Sequence, residues 1–501
     1  IFDDLLLILC VCVYLKPVHI EHASFANETV LLITILVIII IQTQKPRTTS
    51  KPTNRPPPPP PPGPWKLPVI GNLHQLVTDG GASQLHRRLA ELARRYGPDV
   101  MHLQLGELSH VIISTPEAAR LVMKTHDTTF ASRPFLFATS IMFGGSPLRR
   151  AVAPDAQDLH AGALQRQAGR VVSLDQGTRG GQPGQDASNR DETFLEVAQN
   201  FGDVTAGFRT SDLYPSLTFL PALTGFKDKL EKMRLEADSI FDAIIDERRS
   251  QRSSMSSSSD GEVVEDYLLD VLLNLHENPS RLGYPLTMEV VKAVTLELFI
   301  AGIETSAKVI EWTMSEMIKH PEVMRKAQTE VREAFGEKGG DVEEASLHRL
   351  KYLDNVIKES LRLHPPGPLL LPRENRESVE LCGYHVPAKT KVFVNAWTIN
   401  RDPRYWSEAE AFCPERFDDR VIDYKGNDFQ FIPFGAGRRI CPGFDFGVEV
   451  VKLTLANLIF HFNWKLPGEM RPESLDMTER LGASVGREYA LLVIPVPYHE
   501  N

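Results

Sequence analysis

"PFGAGRRICPG", Pro433 to Gly443, sets one cysteine among three glycines, two arginines and two prolines. A lone cysteine is ordinarily a small buried hydrophobe. Glycines on both sides imply instead a backbone that something bulky must approach closely. A thiolate suits a soft metal, but one cysteine with no histidine or second cysteine nearby cannot hold zinc. What lies against Cys441 is the question the rest of the chain has to answer.

The chain has 501 residues and 42% hydrophobic content, enough for one large domain or two to three ordinary ones. Acidic residues outnumber basic ones by 65 to 55, and the net charge of -10 argues against a nucleic-acid partner, which would call for a basic face. The five cysteines, at 10, 12, 382, 413 and 441, are odd in number and scattered. They fit neither a disulfide framework nor a paired zinc site, so the main domain reads as cytosolic and reduced.

The first residue is Ile, so the true start is expected to be missing. Two apolar runs follow, Leu5 to Leu15 and Val30 to Ile41. Each is shorter than the roughly 20 residues that span a bilayer. Flanking residues extend the second to a best span of about 25–43. Glu21 and Glu28 precede it and Lys45, Arg47, Lys51 and Arg55 follow it, which puts the rest of the chain in the cytosol by the positive-inside rule. A cleaved signal peptide is the rival reading, but no small-residue cleavage site follows Ile41. Leu5 to Leu15 is either a second membrane segment or a spurious extension.

Residues 46–64 read as a hinge: the seven prolines Pro56 to Pro62 form a stiff spacer, with an SH3-type ligand as the alternative, and folding is expected to begin at Trp65. From there to 501 the pattern is that of a mainly α domain with small β-sheets. "SQLHRRLAELARRYG" has helical period, "VMHLQLGE" and "HVIIST" read as strands, and Ser216 to Leu363 is strongly helical. Short β-like pieces return from Leu369 to Pro497, around a helix following Gly443. The serine-rich Ser250 to Glu262 reads as a mobile surface loop. Residues 144–190 stand apart, with no Trp, Tyr or Phe, many glycines and no sustained period.

Two further constellations carry chemistry. A helix of about 287–319 would be roughly 50 Å long and cross the whole domain. In its middle Gly302 costs about 1 kcal/mol relative to alanine, and Glu304, Thr305 and Ser306 interrupt an apolar run. A hydroxyl there can bond back to a carbonyl one turn earlier and open a notch. On a second helix Glu359 and Arg362 are neighbours on one face, with Arg416 of "CPERF" downstream as a third partner. As for Cys441, a metal that brings its own other ligands can manage on one sulfur. Haem does so, and an axial cysteine thiolate pushes electron density onto its iron and favours O–O cleavage.

With these residues in place the chain resembles the cytochromes P-450. Phe434, Gly437, Arg439, Cys441 and Gly443 match the family's haem-binding loop FxxGxRxCxG, "AGIETS" its oxygen-activation motif, "ESLR" its ExxR triplet and "PERF" the motif completing a Glu-Arg-Arg cluster. "PPGPWKLPVIGNLHQL" and "KTHDTTFASRP" are similar to plant microsomal members, the terpene hydroxylases of the premnaspirodiene oxygenase kind. The resemblance implies a cytochrome P-450 fold preceded by an N-terminal membrane anchor in the endoplasmic reticulum. It also implies haem b (iron protoporphyrin IX), with Cys441 as the proximal thiolate among Phe434, Gly435, Gly437 and Gly443.

It further implies that Arg439 and Arg373 pair with the haem propionates and that Glu359, Arg362 and Arg416 lock the core beside it. Ala301 and Gly302 would leave room for dioxygen, and Thr305 and Glu304 would relay protons to it. Phe135, Phe137, Ala138, Ala301, Thr305, Leu369, Leu370, Leu371, Ala483, Ser484 and Val485 would line an apolar pocket for a lipophilic small molecule such as a terpenoid. Electrons would come from NADPH-cytochrome P-450 reductase, since the chain has no flavin or dinucleotide fingerprint of its own. The resemblance fails in one place. The family puts a WxxxR helix where 144–190 lies, and this chain has no tryptophan between Trp65 and Trp312. The segment reads as a shifted frame, retained intron or splicing error, and a catalytically impaired membrane-anchored relic is the alternative to a working monooxygenase.

Overall fold

The computed structural model describes residues 58–76, 84–143, 209–256, 268–281, 286–336, 342–418, 421–482 and 484–498. The expected anchor and the atypical segment 144–190 lie outside these residues. Among the described residues no helix is long and apolar enough to cross a membrane.

The helices that place the site are α1 (Leu85–Tyr96), α2 (Phe137–Met142), α3 (Phe226–Ser256), α4 (Leu268–Glu277), α5 (Met288–Lys319), α6 (Pro321–Phe335), α7 (Lys351–Leu363) and α8 (Phe444–His461). The limits of α5 follow from its ends. The Thr287 side chain caps its N-terminus by accepting from the Val290 amide, and Pro321 opens α6 where a missing N–H costs nothing.

Strands β1 (Val100–Leu105), β2 (Leu108–Ile113), β3 (Arg373–Glu374) and β6 (Lys391–Val394) form one sheet in the order β1-β2-β6-β3. Strands β1 and β2 make an antiparallel hairpin, β2 runs parallel to β6, and β3 pairs antiparallel with β6. Three two-stranded pairs complete the β-structure: β4 (Val379–Leu381) with β5 (Tyr384–Val386), β7 (Phe462–Lys465) with β10 (Ile494–Pro497), and β8 (Glu479–Leu481) with β9 (Val485–Arg487).

The largest core joins α5, α6, α7 and α8 through Met317, Val331, Phe335, Val356, Leu455 and Ile459. A second lies under the sheet, where Val111, Ile113, Val392 and Val394 meet Phe429, Ile432 and Ala436 of the segment leading into the cysteine loop. That loop is therefore seated on two cores at once, because Phe434 also packs against the helical one.

Two expectations are corrected. The proline run is docked over its last residues: Pro59 O accepts from the His385 amide, Pro62 O from the His102 amide, and Pro61 is buried. Polyproline carbonyls make no bonds among themselves, so a strand edge can use them. The body thus begins before Trp65. Second, the serines to Ser256 continue α3 and do not form a loop. Ser250 Oγ and Ser253 Oγ donate to the carbonyls of Asp246 and Arg249 one turn back, and Arg248 forks onto Asp270 of α4, which is fully buried. Tertiary anchoring outweighs low helical propensity there.

Candidate functional site

The cysteine loop is closed by the Cys441 amide donating to Phe434 O at 2.9 Å. Its turns need φ values of +73° at Gly435 and +68° at Gly437, in the left-handed region. At Gly437 a second constraint operates, since a Cβ would overlap the carbonyl oxygen of Met123 in the π-helical turn Leu121–Thr125. This glycine serves loop packing. Gly443 differs: a Cβ there would meet nothing within 4 Å, so open space lies beside it.

Gly443 is also the N-cap of α8, and its backbone amide is near enough to the Cys441 sulfur to favour the thiolate. Burial pushes the Cys441 thiol up, and that amide pulls it back. The start of α8 adds the positive end of a helix dipole. The position suits a thiolate that a metal cation holds deprotonated.

Two guanidiniums converge beside this loop. Arg373 is buried, donates to Ala436 O at 2.9 Å and pairs with Asp127 at 3.4 Å. Burial pushes it down to about 10, Asp127 holds it up, and the neighbouring charge of Arg439 pushes it down again. Arg439 Nε donates to Ala131 O at 2.7 Å, while the next carbonyl, Ser132 O, accepts from the Glu374 amide of β3. Ala131 thus holds Arg439 while its neighbour holds the residue after Arg373, and two like charges brought together in this way fit an anionic group between them.

Behind the loop, α7 carries Glu359 and Arg362, both fully buried. Arg362 forks onto the carboxylate at 2.7 and 2.8 Å, Arg416 Nε reaches Glu359 Oε1 at 2.9 Å, and the Cys413 amide donates to the same oxygen at 2.9 Å. The remaining Arg362 N–H groups go to the carbonyls of Asn400, Ala409 and Ala411. The structure brings all three charged residues into one satisfied network, the condition under which burying them is tolerable.

Facing the loop is the middle of α5. The two helices cross where a Cβ on Gly447 of α8 would lie 3.8 Å from Ser306 Oγ, six residues past Cys441. Here Thr305 Oγ1 donates to Ala301 O at 2.6 Å, the back-bond expected of a mid-helix hydroxyl. Leu298, Ala301 and Thr305 are exposed along one stripe, and a Cβ at Gly302 would meet nothing within 4 Å. An apolar stripe left open on a central helix is a seat for a large apolar group. A sulfur ligand with an amide donor, paired guanidiniums and open space at Gly443 and Gly302 together fit haem.

Of the expected pocket residues, Phe135 and Leu371 are exposed with Ala301 and Thr305, while Phe137 and Leu370 are partly buried. Ala138 and Leu369 are core residues, the first packed among α2, α3 and α5 and the second under the sheet. Val485 is buried with its carbonyl accepting from Trp312 Nε1, and Ser484 is buried against Glu304. Ala483 lies outside the described residues. Asp127 escaped the sequence reading although it holds Arg373 and the Arg438 amide, at 2.9 Å for the latter. Its one signal is its place in "KTHDTTFASRP".

Comparison with known proteins accords with this geometry. A cytochrome P450 family profile matches residues 59–155 and 183–491, so the gap between the two matched parts, 156–182, falls inside the atypical segment. Cytochrome P450 71D8 of Glycine max is 42% identical, the alignment covering 88% of this chain and 93% of that protein. Salviol synthase of Salvia pomifera is also 42% identical, over 86% and 91%. Premnaspirodiene oxygenase of Hyoscyamus muticus is 39% identical, over 88% and 93%. A zebrafish cytochrome P450 solved with abiraterone shares the fold at a TM-score of 0.60 and 23% identity, over 83% of this chain and all of that one. The whole Glu-Arg-Arg network and these long alignments do not favour an impaired relic. The chain belongs to the cytochrome P450 family, with plant relatives, and is a monooxygenase of the haem-dependent kind.

Proposed function

We propose that this enzyme hydroxylates a small lipophilic plant metabolite, a terpenoid, using dioxygen and electrons from NADPH-cytochrome P-450 reductase. The observation that carries it is Cys441 at the start of α8, its sulfur facing the Gly443 amide, across from the open Ala301–Thr305 stripe of α5. Bound haem b supplies the binding and reductive activation of dioxygen for insertion of one oxygen atom into a C–H bond.

The chain's own residues do the rest. Cys441 Sγ would hold the iron, and the Gly443 amide beside it would favour the thiolate. Arg373 and Arg439 would take the propionates, with Asp127 and the Ala131 carbonyl fixing the two guanidiniums. Gly302 and Ala301 leave space on the far side, where the Thr305 hydroxyl and the Glu304 carboxylate hold and move protons. Leu298, Phe135 and Leu371 offer apolar surface to a hydrocarbon skeleton. The relatives named salviol synthase and premnaspirodiene oxygenase support a terpenoid substrate. Attachment to the endoplasmic reticulum membrane through residues 25–43 is part of the same proposal, resting on that apolar run and the basic residues after it.

The test is a reduced carbon monoxide difference spectrum of the full chain, followed by turnover of a terpene panel with reductase and NADPH. A thiolate-haem Soret band and an oxygenated terpene are expected. No haem signal, or a full band without any terpene product, would overturn the corresponding half of the proposal.

A further inference from the structure

Glu304 and Thr305 are consecutive, so their side chains leave α5 about 100° apart. Thr305 lies on the open stripe with Leu298 and Ala301. Glu304 belongs to another, Glu304, Lys308, Trp312 and Ser315, along which the β8–β9 hairpin runs. Ser484 Oγ donates to Glu304 Oε1 at 2.6 Å, and a Cβ on Gly486 would overlap the Lys308 stem. Trp312 Nε1 donates to Val485 O at 3.2 Å, and Arg487 to Ser315 Oγ at 3.1 Å. The hairpin is thus in register with the acid. The single hydrogen of Thr305 Oγ1 is given to Ala301 O, so this hydroxyl can pass a proton on only if it receives one.

We infer that Ser484 is the positioning residue for proton delivery, holding the Glu304 carboxylate on the hairpin stripe and setting how readily it turns to serve Thr305. Ser484 is itself 5% exposed, and the carbonyl and amide of the next residue are tied to Trp312 and to Pro366 O, so the hydroxyl is held by two fixed neighbours. The carboxylate is located by a partner more rigid than itself. This rests on the monooxygenase reading for its consequence, but the contact itself can be tested without turnover.

The experiment compares Ser484→Ala, Ser484→Thr, Glu304→Gln and the Ser484→Ala/Glu304→Gln double variant. Ser484→Ala should lower kcat and product formed per NADPH about tenfold, part of the 10²–10⁴-fold range of a general acid, with the substrate-binding spectral Kd and the carbon monoxide band kept. Ser484→Thr should restore coupling, and the double variant should be no worse than Glu304→Gln. In denaturant unfolding the four proteins should give a non-additive cycle. Unchanged coupling in Ser484→Ala, no rescue by threonine, or an additive unfolding cycle would overturn the inference. A wild-type protein lacking the thiolate-haem band would overturn the functional reading instead, and the unfolding cycle would still report on the contact.

Discussion

The cysteine side of the site and the α5 side are held in opposite ways. On the first, Glu359 receives two hydrogen bonds from Arg362, one from Arg416 and one from the Cys413 amide, and backbone carbonyls take up the rest of the guanidinium protons. On the second, among the described residues, Glu304 is met by one serine hydroxyl and Thr305 by its own helix. On the proposed function, the first face would be set before its ligand arrives and the second would be left freer to move. The density of fixed partners separates the two roles more clearly than burial does.

Cys441→Ser should abolish the thiolate-haem carbon monoxide band and reduce product to background, in an otherwise folded protein as judged by circular dichroism. Glu359→Ala strands two guanidiniums in the interior and should cost about 3–5 kcal/mol in denaturant unfolding. Gly437→Ala combines a forbidden φ with overlap on Met123 O and should cost about 2–4 kcal/mol, seen as a lower Tm.

The helix α5 is itself divided, and its buried half gives a pH signature. Burial pushes Glu316 up, but hydrogen bonds from His320 and His364 outweigh it and bring the carboxyl down to about 2. Its contribution is therefore present above the unfolded value near 4.5 and is lost as pH falls toward 2. His320 is raised mainly by its bond to Glu316, so its contribution is present below 6.5 and fades as pH climbs through the raised value. Glu316→Gln should flatten both limbs of a Tm-versus-pH curve, the acid limb most. The smallest effect is expected at Gly302→Ala. With no contact to disturb, it should raise helix stability by about 1 kcal/mol, and any loss of oxygenation would then be traceable to space alone.

The two faces also differ in how far they could be read in advance. Glu359 and Arg362 are three residues apart on one helix, and α5 announces its start at Thr287 and its end at Pro321, so these were legible from spacing. The cysteine loop was legible because its backbone demands glycine. Asp127 was not: its partner Arg373 is 246 positions away, and no local pattern marks a carboxylate that a strand will later meet. Nor was the Ser484–Glu304 contact, which depends on the register of a hairpin against a helix. The helical serines before Ser256 were misread because Asp270 and Asn274, which hold Arg248 and Arg252, lie beyond the run itself.

The docked prolines bear on orientation. Because Pro59 O and Pro62 O are pinned to β5 and β1, the chain is already tied to the body before it reaches Trp65. Lengthening the proline run would then act as a ruler of about 3.1 Å per residue, displacing the body from whatever holds its N-terminal side. Changing His102 or His385 to proline would remove a peg and loosen the compass bearing while leaving the distance alone.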